Sequence, residues 1–74
     1  MSEELIEIEE TMNLRREEAA DVLRRVADSL SRHNGLEFER GGMKVRVDVP
    51  DEVELELEIE ITTEGGSLEI EIEW

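Results

Sequence analysis

From Glu52 onward the chain alternates, reading EVELELEIEI over residues 52–61 and LEIEIEW over 68–74. Glutamate takes every second position, with valine, leucine, isoleucine and finally Trp74 between. Successive side chains on a β-strand point to opposite faces, so each stretch has an apolar and an acidic side. The pattern predicts two strands, Glu52–Thr62 and Ser67–Trp74, joined by a turn at Glu64-Gly65-Gly66. Such strands belong in an antiparallel sheet with one solvated face. The apolar face holds Val53, Leu55, Leu57, Ile59, Ile61, Leu68, Ile70, Ile72 and Trp74. The acidic face holds Glu54, Glu56, Glu58, Glu60, Glu69, Glu71 and Glu73.

Between Leu14 and His33 the period changes. Ala19, Val22, Leu23, Val26, Ala27 and Leu30 recur at helical spacing, with Glu17, Asp21, Arg24, Asp28 and Arg32 opposite. Asn13 is the expected N-cap, Gly35 the expected left-handed C-cap, and Asp21–Arg25 and Asp28–Arg32 the expected i,i+4 pairs. Ahead of the helix, Glu3–Thr11 alternates briefly, with Ile6 and Ile8 on one face. Behind it, Leu36–Glu39 and Met43–Val49 flank Arg40-Gly41-Gly42, a tight hairpin turn. Val45, Val47 and Val49 point inward there, and Lys44, Arg46 and Asp48 outward. Pro50-Asp51 then breaks the ladder. The order is β-α-β-β-β-β. It predicts an α+β fold with one amphipathic helix packed on one face of a mostly antiparallel sheet of about five strands. Like charges opposite one another destabilise a sheet. The strand Met43–Val49 is therefore expected beside the acidic one, with Lys44 and Arg46 across from Glu54, Glu56 or Glu58.

Composition narrows the picture. Seventy-four residues suit one domain, residues 1–74, near the lower limit for an unaided core. Without cysteine, neither disulfides nor thiolate sites can reinforce it, and a reducing interior fits. The opening MSEELIEIEE has no basic and apolar signal-peptide regions, and no apolar run approaches the roughly 20 residues that span a bilayer. A cytoplasmic location is expected. Twenty-two acidic residues against eight basic ones give a net charge of −14. Such self-repulsion opposes compaction in dilute buffer and is screened in molar salt, where the Debye length falls to about 3 Å. With seven arginines and only Lys44, the surface suits a halophilic host. The same field excludes phosphate-driven nucleic-acid binding and anionic membrane surfaces.

The helix LRREEAADVLRRVADSL, the strand PDEVELELEIE after its turn proline, and the closing EIEIEW together resemble the amphi-Trp domain family of small, mainly haloarchaeal proteins. The likeness spans nearly the whole chain. It implies a compact α+β domain and a salt-adapted host. It implies no catalytic residues, and the family takes its name from the amphipathic last strand and its tryptophan.

Candidate chemistry is sparse. His33 is the only histidine, sits in the last helical turn, and has no second His or Cys with which to share a metal. Glutamates two apart on a strand lie about 6.6–6.8 Å apart, whereas Ca²⁺ needs oxygens within about 2.3–2.6 Å of one centre. Glu17 and Glu18 suit the helix dipole. Gly41-Gly42 and Gly65-Gly66 precede no helix, so no phosphate loop is indicated. No catalytic, cofactor-binding or metal residue is therefore assigned. The expected function is a non-enzymatic module that self-associates as a homodimer through Ile61, Leu68, Ile70 and Trp74. The alternative is an acidic nucleic-acid mimic that binds a basic protein through its glutamate face. A carboxylate hydrolase is weaker, for want of a pocket or nucleophile.

Overall fold

The computed structural model describes residues 3 and 5–74, and for Arg40 the backbone alone. One helix is followed by four strands: α1 (Arg16–His33), β1 (Gly35–Arg40), β2 (Met43–Asp48), β3 (Glu54–Ile61) and β4 (Gly66–Glu73). The fold is α+β. The helix carries Glu17 and Glu18 in its first turn and Arg32 and His33 in its last, both favourable to its dipole. It starts two residues later than Asn13 would dictate. Arg15 occupies the N-cap, and its backbone N–H donates to Glu18 Oε1 at 3.1 Å. Arginine has no acceptor to offer in return, so the glutamate alone closes this end. At the other end Asn34, with φ 55°, takes the left-handed cap in place of Gly35. Asparagine tolerates that conformation. On the helix surface Asp21 pairs with Arg24 at 2.7 Å, an i,i+3 contact, instead of with Arg25.

Gly35 opens β1 and is buried. A Cβ there would lie 2.5 Å from the Val47 carbonyl oxygen, so close approach of two backbones explains the glycine. Gly41 and Gly42 have φ of 59° and 81°, the double positive φ of a type I′ turn. They set β1 against β2 with Leu36 opposite Val47, Glu37 opposite Arg46, Phe38 opposite Val45 and Glu39 opposite Lys44.

The expected single sheet is two separate ribbons. β1 pairs only with β2 and β3 only with β4, all antiparallel. Lys44 and Arg46 therefore face Glu39 and Glu37, not the glutamates of β3. Local geometry explains this: short turns join β1 to β2 and β3 to β4, whereas Pro50 interrupts the β2–β3 connection and lacks a donor for a ladder. Of the expected strand Glu3–Thr11, Glu4 lies outside the described residues, and the remainder forms no regular element. Four strands, not five, stand among the described residues.

Among the strands only β1 lies close to the helix. Leu36, Phe38, Val45, Val47, Val22 and Leu30 are half-buried, and no hydrophobic side chain among the described residues is fully buried. Leu23 and Val26 of the helical stripe remain exposed. Among the described residues no helix is long and apolar enough to cross a membrane.

Candidate functional site

The β3–β4 hairpin is the most regular surface of the molecule. Its loop is built by Thr62, whose N–H donates to the Gly65 carbonyl at 2.8 Å and whose hydroxyl accepts from the Glu64 N–H at 3.2 Å. These bonds close the four residues 62–65 and place Ile61 opposite Gly66. The strands then run in phase, so like meets like. Leu55 faces Ile72, Leu57 faces Ile70 and Ile59 faces Leu68 on one side; Glu54 faces Glu73, Glu56 faces Glu71 and Glu58 faces Glu69 on the other.

The apolar side is uncovered. Ile59 is 72 % exposed, Ile61 82 %, Leu68 59 % and Trp74 59 %, with Ile70 and Leu57 similarly open. Ile72 alone is half-buried. It lines a shallow hollow with Leu30 of the helix and with Val49, Pro50 and Val53 of the β2–β3 connection.

The acidic side sets three glutamate pairs directly across from one another, with Glu60 opposite Ser67. Cβ atoms in such pairs are about 4.5–5.5 Å apart, a destabilising arrangement for ionised groups. Glu71 responds to this: its pKa is raised, chiefly by a hydrogen bond with Glu73 and by that residue's charge, then by desolvation and by Glu56 and Glu69. The first hairpin is built the other way, with each outward glutamate of β1 opposite a cation of β2. Arg46 also contacts Asp48 at 3.0 Å and donates to the His33 carbonyl, tying β2 to the end of the helix.

The glutamates expected on one face are all on it, in two facing rows. Among the described residues no three His, Cys, Asp or Glu side chains are grouped to hold a metal ion. Ile61, Leu68, Ile70 and Trp74 lie on the opposite, apolar side. Two features escaped the sequence reading. The carboxylate-to-carboxylate register was available from the four-residue spacing of the loop, which fixes the parity of the pairing. Arg46 as a tie to the helix end had no sequence signal, because it depends on where the helix stops.

The family model of the Amphi-Trp domain matches residues 1–74, the whole chain, and the chain belongs to that family. Comparisons with curated proteins and with solved structures gave no match.

Proposed function

We propose that this amphi-Trp chain is a non-enzymatic interaction module that self-associates through the apolar face of its β3–β4 hairpin and works in a salt-rich cytoplasm. One observation carries the reading. The isolated chain exposes 7364 Å², whereas a folded monomer of 8.5 kDa should expose about 4,700 Å². The surplus, about 2,700 Å² per chain or about 5,400 Å² over two copies, is at the upper end of what obligate partners bury between them. No hydrophobic side chain among the described residues is fully buried, which supports a reading in which the core is completed by another molecule.

Like charge selects the mode of contact. Pairing two copies edge to edge along β3 or β4 would set glutamates beside glutamates. Packing two apolar faces against each other, about 10 Å apart, leaves both acidic faces in water. A twofold contact buries the same patch on both copies, with Ile61, Leu68, Ile70 and Trp74 in or beside it. Light scattering in about 2 M KCl tests this, since charge is then screened. Twice 8.5 kDa supports the homodimer and 8.5 kDa rejects it.

The facing rows of glutamate favour a second reading, an acidic decoy for a basic nucleic-acid-binding protein. Their spacing along each strand, about 6.6–6.8 Å, gives a regular line of negative charge. Recovery of DNA- or RNA-binding proteins from host lysate at molar salt is the expected result of that reading. Recovery of this chain alone sinks it.

A further inference from the structure

We propose that residues 5–11 of one copy add as a strand to the free edge of β2 in a second copy. This inference rests on the self-association reading and names a second contact within the same assembly. The need for one follows from area. Each hairpin face is about 27 Å long and about 10 Å wide, a footprint on the order of 300 Å². That is a fraction of the surface the isolated chain leaves in excess, so hairpin packing alone cannot complete the core.

Residues 5–11 read LIEIEET, the same alternation that elsewhere in the chain makes strands. In the isolated chain they form no regular element, and Leu5 and Ile6 are 88 % and 64 % exposed. Seven extended residues span about 23 Å, enough to run along the six residues of β2. The segment leaves its own chain's free edges unpaired, which makes it available to another's.

Charge chooses among those edges. Each two-stranded ribbon has a free edge on either strand. A strand bearing Glu7 and Glu9 would meet Glu37 and Glu39 on β1, where the helix also lies close. On β3 or β4 it would meet the glutamate rows. β2 presents two cations, Lys44 and Arg46, on one side, with Val45 and Val47 on the other. Glu7 and Glu9 then sit beside Lys44 and Arg46, and Ile6 and Ile8 beside the two valines. Lys44 has no carboxylate within 4.0 Å among the described residues. A charged edge repels most strands, and this one admits an acidic strand. The added strand supplies the fifth strand that the alternation of residues 3–11 predicts.

Lys44, the only lysine, makes the test specific. Equal amounts of ¹⁴N and ¹⁵N protein are unfolded together, refolded, confirmed as dimer by light scattering, and treated with a zero-length carbodiimide that joins carboxylates to amines. The expected products are peptides linking Lys44 to Glu7 or Glu9, with mixed-isotope links as abundant as the two uniform kinds together. Links from Lys44 to Glu39 alone, in protein that scatters as a dimer, overturn the inference and leave the self-association reading standing. Uniform-isotope links to Glu7 or Glu9 place the strand on its own chain and overturn it too. A monomeric mass overturns both readings.

Discussion

Gly35 is held by one atom. Replacing it with alanine would put a methyl group 2.5 Å from the Val47 carbonyl oxygen, and that oxygen belongs to backbone already committed to the β1–β2 register. The clash can be relieved only by moving one strand. Gly35→Ala should therefore cost about 1–3 kcal/mol, the usual penalty for overpacking, measured by denaturant unfolding. An unchanged midpoint would show that the ribbon slides freely at that end. Glu71 offers a second residue-scale test, with an unusual sign. Its pKa is raised by Glu73 first and by Glu56 and Glu69 after, so the folded chain holds this proton more tightly than the unfolded one. Linkage then makes stability fall as pH rises from the ordinary carboxylate range through the raised value. Acidification from neutrality toward the ordinary carboxylate value of 4.5 should raise the thermal midpoint in low salt, the reverse of common acid denaturation. Glu71→Gln should shrink that rise; a midpoint that falls on acidification rejects the account.

At the scale of elements, the two hairpins differ in what they need. β1–β2 opposes glutamates with Arg46 and Lys44 across the ribbon and is tied to the helix end. β3–β4 has neither aid: its acidic rows repel, and its apolar side faces solvent. Isolated two-stranded ribbons are marginal in water, so β3–β4 depends on what covers it. Trp74→Ala separates the cases. On a bare surface it should change stability by no more than about 0.5 kcal/mol; at a covered one it should loosen the dimer or cost a few kcal/mol. Much of this architecture was legible in the pattern. Helical spacing located α1 to within two residues at its start, and alternation located all four strands, because both periods are imposed by backbone geometry. Pairing was less legible. Complementary charge on Lys44 and Arg46 suggested a β2–β3 neighbourhood, but the short turns at Gly41-Gly42 and at residues 62–65 decided the partners. Caps were misplaced by a residue or two, since Glu18 reaching Arg15 and Asn34 accepting a positive φ depend on packing as well as propensity. The hairpin's two faces could be read directly; what meets its apolar side could not, because alternation says which side is apolar and not what covers it.

The whole molecule is expanded as well as exposed. Its radius of gyration is 14.5 Å, against about 11 Å for a compact domain of this length. A net charge of −14 on 74 residues acts in the same direction, since self-repulsion opposes the compact state. Two terms therefore oppose each other in the proposed assembly. Apolar burial draws the hairpin faces together, at roughly 25 cal/mol per Å² removed from water, while repulsion between like-charged copies resists. Salt weakens only the second, because the Debye length falls from about 10 Å at 0.1 M to about 3 Å at 1 M. If fold and dimer form together, one midpoint should report both. Thermal unfolding in about 0.1 M and then about 2 M KCl should show a clear upward shift, with the dimeric mass appearing over the same range. The rise should also depend on protein concentration, as it must when the folded species is an oligomer. The glutamates contribute collectively, so Glu56→Gln or Glu58→Gln alone should move stability by no more than about 0.5 kcal/mol. A midpoint indifferent to salt would mean that repulsion is not what limits this chain, and the salt-adapted reading would go with it.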